Sequence, residues 1–223
     1  MKLSRFRSVS RSGFTLVELL VVIGIIAILA SVVTVAAGAA INAAKRAKAN
    51  GTATNLQTAV LNYYTEYGVY PVPTTLVAPE DTVYQTADDW KPMSVALNGG
   101  VDPGNPTGGQ LAGNAIPNSR QISYLSLTRS DLDTTSAPAV PKTPFKDSKG
   151  TILYFNMAID SDYSNIIGDS GGNTKPPDFS STTTSSTILP VGKEISGGVA
   201  VWANCDPTTS GGTTHPNLWI HTY

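Results

Sequence analysis

The chain has 223 residues, and its 15 basic and 16 acidic side chains make up only 14% of them. Soluble domains usually contain about 25% charged residues. A formal net charge of -1 gives no reason to expect a nucleic-acid partner, because such proteins usually display clustered Lys and Arg. A single cysteine, Cys205, excludes an intrachain disulfide framework and a multi-cysteine zinc site. The two histidines, His215 and His221, leave little material for histidine-based catalysis.

The charges are distributed very unevenly over the first seventy residues. Residues 1–13 contain four basic side chains and no acid, whereas residues 19–41 contain no charged side chain. As a helix, the uncharged run is about 35 Å long, enough to cross a hydrocarbon core of about 30 Å. The basic segment is expected to stay in the cytoplasm, so the sequence predicts one membrane span with the rest of the chain translocated.

Two other interpretations of this segment are weaker. A secretory signal peptide has an apolar region of about 7–15 residues followed by a small-residue cleavage site, and this run is longer and continues into a helical pattern. Lys45, Arg46 and Lys48 lie just beyond the run and work against a simple positive-inside count. An inverted, stop-transfer topology therefore stays open as a minor alternative.

Glu18 is an acidic residue near the start of the apolar segment. A charged group at the centre of a membrane helix costs about 2.5–3.5 kcal/mol, so its presence needs a reason. In the simpler interpretation, the Glu18 side chain reaches the headgroups and gains from the dipole at the helix N-terminus.

Residues 13–18, Gly-Phe-Thr-Leu-Val-Glu, resemble the processing site of type IV prepilins and type II secretion pseudopilins. The resemblance implies that residues 1–13 are a leader peptide, cut between Gly13 and Phe14, and that Phe14 is then N-methylated. It also implies that Glu18 is the family's characteristic carboxylate. Cleavage would leave an ammonium on Phe14, about one helical turn from Glu18. We expect Glu18 of one subunit to pair with the Phe14 amine of its neighbour, which would set the axial register of an assembly.

An amphipathic pattern extends the helix beyond the apolar run. Gly51 weakens it by about 1 kcal/mol relative to Ala, and Gly68 with Pro71 shortly after predicts its end. We therefore predict one helix over residues 14–67, with a transmembrane and assembly part at 14–41 and an amphipathic part at 42–67. The apolar residues of the second part recur at spacings of three and four: Ala49, Ala53, Leu56, Val60, Tyr63 and Tyr67.

Residues 68–223 are predicted to form a globular head of the α+β class, in which the long helix packs on a small antiparallel β-sheet with long loops. Aromatic and β-branched runs predict strands at residues 151–159, 198–203 and 218–221. Residues 121–127 are compatible with either a short strand or a helix. Residues 169–187 are rich in Gly, Ser, Thr and Pro and predict a loop.

Two further segments resemble the type II secretion major pseudopilin. Residues 63–71, Tyr-Tyr-Thr-Glu-Tyr-Gly-Val-Tyr-Pro, resemble its junction between helix and loop, where the residues themselves predict a helix cap with aromatic packing. Residues 143–146 resemble, in diverged form, its hairpin entry, with Pro144 kept and Phe145 in place of a Trp. Together with the lack of a cysteine pair, these segments favour a pseudopilin over an adhesive or motility pilin.

A calcium site is the strongest candidate for a small-ligand site. Asp160, Asp162, Asn165 and Asp169 place several hard oxygen donors in one segment, which is the ligand type that Ca²⁺ requires. They do not follow the EF-hand pattern, but major pseudopilins often hold calcium in a loop of the head. The alternative is a solvated turn, in which Asp and Asn are common.

The sequence predicts a structural protein and no enzyme, because no phosphate loop, nucleophile elbow or pair of catalytic carboxylates is evident. The resemblance implies a filament subunit whose partners are copies of itself, other pilin-like subunits, prepilin peptidase/methyltransferase and an inner-membrane assembly platform. It implies a single-pass protein of the bacterial inner membrane with a periplasmic head, and then a periplasmic or extracellular filament. The alternative is a membrane-tethered periplasmic binding or enzymatic module. Removal of the leader would leave 11 basic against 16 acidic groups, a net charge of -5.

Overall fold

A computed structural model describes residues 13–73, 81–146, 150–168, 194–204 and 219–222. The chain divides into two units, Met1–Ala44 and Lys45–Tyr223, so the second half of the long helix belongs with the head. The elements in the described residues are α1 (Leu16–Tyr67), β1 (Thr82–Tyr84), α2 (Ala87–Leu97), a 3₁₀ turn (Arg129–Asp131), β2 (Leu132–Asp133), β3 (Val140–Lys146), β4 (Ile152–Tyr154), β5 (Asn156–Ile159), β6 (Ile166–Ile167), β7 (Ile195–Ser196), β8 (Val199–Asn204) and β9 (Trp219–His221). This α+β layout is the predicted fold class.

Helix α1 begins two residues later than predicted and ends at the predicted residue, Tyr67. Among the described residues, it is the one helix long and apolar enough to cross a membrane, with a mean hydropathy of 3.0 in its most apolar window. The large apolar side chains described in its first half are between 46% (Val22) and 79% (Leu16) exposed. This half therefore presents apolar surface on all sides, as a membrane span does.

The second half of α1 buries one face, as the spacing of its apolar residues predicts. Its stripe, Ala49, Ala53, Leu56, Val60 and Tyr63, is at most 1% exposed, whereas Tyr67 at the end is half-buried. The stripe shares one core with residues of the head such as Met157 and Val201. Fully burying a large apolar side chain contributes about 1.5–3 kcal/mol, so the stripe supplies a substantial part of the stability of the head.

The head contains more strands than the sequence predicts, and all of their pairings are antiparallel. A four-stranded sheet has the order β1-β5-β8-β9, a three-stranded sheet the order β2-β3-β4, and β6 pairs with β7. One face of the four-stranded sheet, with Met157 and Val201, joins the core around α1. The other face carries a smaller cluster that includes Ala158, Ala200 and Trp202.

Several predicted elements need correction. The strand predicted over residues 151–159 is two strands, β4 and β5, separated at Phe155 and belonging to different sheets. Residues 121–127 form neither a helix nor a strand, apart from a single bridge between Ser123 and Asn98. The strands predicted at 198–203 and 218–221 are present as β8 and β9, each shifted or shortened by one residue.

Helix α2 was not predicted, since Pro92 lies inside it and its apolar run is short. It begins with a capping box, in which the Asp89 carboxylate accepts a hydrogen bond from the Thr86 backbone N–H at 2.8 Å. Trp90 anchors the helix in the core, where it is fully buried and its Nε1–H donates to the Phe155 carbonyl at 2.7 Å. Capping and core packing together outweigh the interruption by proline.

The end of α1 is fixed by a glycine and by tyrosine contacts, as predicted for residues 63–71. Gly68 has a φ of 70° and its N–H donates to the Tyr64 carbonyl at 2.8 Å, which closes the helix in a conformation that favours glycine. The Tyr64 and Tyr70 rings stack with centroids 4.4 Å apart. The Tyr67 hydroxyl donates to Asn118 at 2.8 Å.

Two glycines of α1 should respond in opposite directions to the same substitution. Gly51 is exposed and helical, and a Cβ added there would meet nothing within 4 Å, so Gly51→Ala should stabilise the chain by up to about 1 kcal/mol. Gly68→Ala meets no neighbour either, but its positive φ should cost about 1 kcal/mol. Denaturant unfolding in mild detergent measures the change in the free energy of unfolding for both variants. A shift of the same sign in both would contradict the assignment of the helix end.

Candidate processing and assembly site

The Gly13–Phe14 peptide bond lies outside helix α1 and is exposed. Phe14 is 80% exposed, and a Cβ at Gly13 would meet nothing within 4 Å. The helix begins only at Leu16, so the two residues on either side of the predicted cleavage point carry no helical hydrogen bonds to be broken first. The local structure therefore leaves this bond accessible to a peptidase.

Thr15 and Glu18 form a capping box at the start of α1. Glu18 Oε2 accepts hydrogen bonds from the Thr15 backbone N–H at 2.9 Å and from the Thr15 hydroxyl at 2.7 Å. The Glu18 backbone N–H donates to the Thr15 hydroxyl oxygen at 3.2 Å. This box explains why the helix begins at Leu16, because it satisfies N–H groups that have no partner within a helix. In hydrocarbon these groups would find no water, so the box has particular value there.

The role of Thr15 was missed in the sequence, although the Thr-x-x-Glu spacing is the known signature of a capping box. The structure brings Glu18 onto Thr15 within one chain, which fits the simpler interpretation of Glu18 as a group that stabilises the helix start. Both hydrogen bonds go to one carboxylate oxygen, and a carboxylate offers about four acceptor positions. Capping is therefore compatible with a further ion pair to an ammonium.

Comparison with known proteins bears on this segment alone. Residues 9–34 match the prokaryotic N-terminal methylation motif. No curated protein and no solved structure matches the chain. The motif supports a type IV pilin-like protein that is processed by prepilin peptidase, and it favours a structural over an enzymatic role. With the apolar helix α1, it is consistent with membrane anchoring.

A second candidate site is a cluster of acidic residues in the head. Asp81, Asp160 and Asp162 each offer a carboxylate oxygen, and these oxygens lie within 4.8 Å of one another. Asp81 was not predicted, and it comes immediately before β1, which pairs with β5 just before Asp160. Of the predicted calcium ligands, Asp160 and Asp162 are brought together, and Asp169 lies outside the described residues.

The loop after β5 is shaped by hydrogen bonds to these carboxylates. Asp160 accepts from the backbone N–H groups of Ser164 at 3.0 Å and Asn165 at 2.8 Å, and Asp162 accepts from Ser164 at 2.9 Å. Tyr163 and Asn165 both have positive φ angles, 63° and 65°. Asn165 thus contributes its backbone N–H to the loop. These bonds are those of the solvated-turn alternative.

The electrostatics of the cluster favour either a proton or a cation. Burial raises the pKa of Asp160, and the neighbouring Asp162 carboxyl group raises it further. Three carboxylates supply hard oxygen ligands of the kind that Ca²⁺ takes, although Ca²⁺ needs six to eight oxygens and would require further carbonyls or water. The donor set fits calcium in chemistry.

The Tyr163 ring connects this loop to the end of α1. Its centroid lies 5.6 Å from that of Tyr70 and 6.4 Å from that of Tyr64. The Tyr163 hydroxyl also accepts a hydrogen bond from the Tyr70 backbone N–H at 3.3 Å. The acidic cluster therefore lies near the C-terminal end of α1.

The remaining candidates are a cavity in the head, the two histidines and the single cysteine. A cavity of about 230 Å³ is lined by Ser, Asn, Pro and Leu side chains, including Asn98, Leu125 and Pro141, and no titratable residue lines it. His221 is exposed at the end of β9. Cys205 and His215 lie outside the described residues.

We expect calcium to stabilise the head through the acidic cluster. Because the pKa of Asp160 is raised in the folded chain, its ionisation opposes folding, and stability in chelator should fall as the pH rises above the usual carboxyl range. Asp162→Asn removes the adjacent charge, and it should raise the melting temperature in chelator by about 2–4 °C for each kcal/mol relieved. The same variant should lose the stabilisation by calcium.

The matched control is Asp88→Asn, which removes an exposed carboxylate that is paired with Lys91 in α2. Its response to calcium should equal that of the wild type. Identical melting of the wild type in calcium and in chelator would eliminate the calcium site and leave the solvated turn.

Proposed function

We propose that the chain is a structural subunit of a type II secretion pseudopilus or a related type IV pilus-like filament. In this proposal, prepilin peptidase removes residues 1–13 by cutting between Gly13 and Phe14, and Phe14 is N-methylated. The processed subunit then polymerises through the N-terminal part of α1. The observation that carries the proposal is the methylation motif at residues 9–34, which includes the exposed apolar beginning of α1.

In the proposed filament, Glu18 of one subunit pairs with the Phe14 ammonium of its neighbour. The pair is supported by the cost of an unpaired charge among apolar helices, where the loss of one partner is penalised by several kcal/mol. The capping box holds the Glu18 carboxylate at the level of Thr15, the residue next to Phe14. A partner charge from an adjacent helix then satisfies the carboxylate only at one axial position.

The choice of a pseudopilin rests on the head-proximal end of α1. Residues 63–71 combine a tyrosine-rich helix end, a glycine in the positive-φ region and a following Tyr-Pro, as the resemblance implies. The proposed partners are other copies of this chain, other pilin-like subunits and an inner-membrane assembly platform. The proposed location is the inner membrane with the head in the periplasm, and then a periplasmic or extracellular filament.

Mass analysis of the intact mature protein tests the processing step. We expect a chain that begins at Phe14 and carries one additional methyl group. Gly13→Leu should leave the precursor uncut, because the residue before the bond is the one that the motif specifies. Gly24→Leu changes a helical glycine downstream and should leave processing intact. A mature chain that keeps Met1 or begins at another residue would overturn the proposed processing site.

The assembly role of Glu18 is separable from its capping role. Glu18→Ala should leave insertion and cleavage intact and lower filament yield about tenfold or more, since it leaves a buried ammonium unpaired. Glu18→Gln keeps an acceptor for the Thr15 N–H but removes the charge, so it should fail to assemble to a similar degree. Filament yield is measured by shearing and immunoblotting.

Thr15→Ser is the matched control, because it keeps the hydroxyl of the capping box and leaves the charge of Glu18 unchanged. It should assemble at the level of the wild type. Normal filaments from Glu18→Gln would show that capping is the role of Glu18 and would remove the ion pair from the proposal. Normal filaments from Glu18→Ala would show that assembly needs neither the capping contact nor the ion pair of Glu18.

A further inference from the structure

Three basic residues follow the predicted membrane span, and the proposed filament function does not account for them. Helix α1 continues without a break from the span, which ends near Ile41, through Lys45, Arg46 and Lys48. At 1.5 Å per residue, these residues lie about 6–10 Å beyond Ile41. The headgroup region on each side of a bilayer is about 5–8 Å thick. Their side chains are therefore long enough to reach the phosphates of the leaflet on the head side.

Lys48 is neutralised by the head and fixes a turn beside α1. Its Nζ lies 2.5 Å from the Asp131 carboxylate and 2.9 Å from the Ser130 hydroxyl. Burial raises the pKa of Asp131, but hydrogen bonds from Lys48 and Thr128 outweigh it and lower the pKa overall. Arg129 precedes Ser130 and so belongs to the turn that Lys48 contacts.

The other three cations, Lys45, Arg46 and Arg129, form what we call the basic collar. Lys45 and Arg129 are exposed, and Arg46 is half-buried. Within the described parts of the chain, no carboxylate lies within ion-pair distance of the three. The collar is therefore a concentration of positive charge without a counter-charge in the described head.

Arg46 has a buried donor that lacks a partner. It extends the spacing of the buried stripe toward the N-terminus of α1, three residues before Ala49 and seven before Ala53. Its Nε is buried and has no hydrogen-bond partner in the described structure. An unsatisfied buried donor is costly. The residue as a whole is only half-buried, and the planar guanidinium group matches the oxygens of a phosphate at its accessible side.

We propose that the basic collar binds the headgroup of an anionic phospholipid, such as phosphatidylglycerol, in the leaflet on the head side. The lipid phosphate accepts from the Arg46 guanidinium, and Lys45 and Arg129 add attraction to the same leaflet. A lipid fits better than the acidic cluster of a second copy, because phosphates are present at this depth whenever α1 spans a membrane. The proposal rests on membrane anchoring and does not depend on filament assembly.

The experiment reconstitutes the full chain in phosphatidylcholine vesicles with trace spin-labelled phosphatidylglycerol or phosphatidylcholine. Electron spin resonance gives the relative association of the two lipids with the protein. We expect the wild type to prefer phosphatidylglycerol, and each removed cation to reduce the preference by up to about fivefold. Arg129→Gln alone should reduce the preference for phosphatidylglycerol by one such step. The double variant Arg46→Gln/Arg129→Gln should reduce it further. Higher ionic strength should weaken the preference.

Lys146→Gln is the matched control, because it removes one exposed cation from the end of β3, outside the collar. It should keep the wild-type preference, and leader cations contribute equally in all variants. Arg129 is exposed, so Arg129→Gln tests the proposal even where an Arg46 variant fails to fold, as judged by near-ultraviolet circular dichroism.

Equal preference in the wild type and in the variants of both arginines would overturn the proposal. Chemical crosslinking in the same vesicles tests the alternative partner, a second copy of the chain. A double variant that keeps its lipid preference but loses crosslinked dimers would assign the collar to a second copy and would likewise overturn it. Failure of the filament proposal leaves this measurement unaffected, because monomeric protein in a bilayer is sufficient.

Discussion

The apolar stripe of α1 is the contact on which the head depends. Leu56, Val60 and Tyr63 are at most 1% exposed, and they share one core with residues of the four-stranded sheet and α2. Before Lys45 the same helix has apolar side chains around its whole circumference. The change from an all-round to a one-sided apolar surface falls at the boundary between the two units, as expected of a helix that anchors a head in a membrane.

Much of α1 was predictable, because a long periodic pattern contains many independent signals that agree. The bounds of α2 and of the short strands were not, since each depends on packing that the local sequence does not encode. Asp81 is the clearest case. It is separated from Asp160 by about half of the head sequence, and only the register Thr82↔Ile159 between β1 and β5 places the two side by side. No local spacing contains that information.

Glu18 shows why a predicted site residue can have more than one physical reason. The start of a helix in an apolar environment needs acceptors for its first N–H groups, and a carboxylate three residues after a threonine supplies one. A carboxylate in that environment also needs a positive partner. The first requirement is met within the chain. The second is met in the proposed filament by another copy, and in that proposal the residue that begins the helix would also position its neighbour.

The Tyr163 contact has a consequence for spectroscopy. Tyr163 lies in the loop held by Asp160, and its ring is stacked near Tyr70 at the end of α1. Tyrosine rings at such distances influence each other's optical transitions, so a rearrangement of the loop changes the near-ultraviolet signal of the folded chain. The protein thus contains its own optical reporter for the loop beside the acidic cluster, and the predicted calcium binding would be testable without a label.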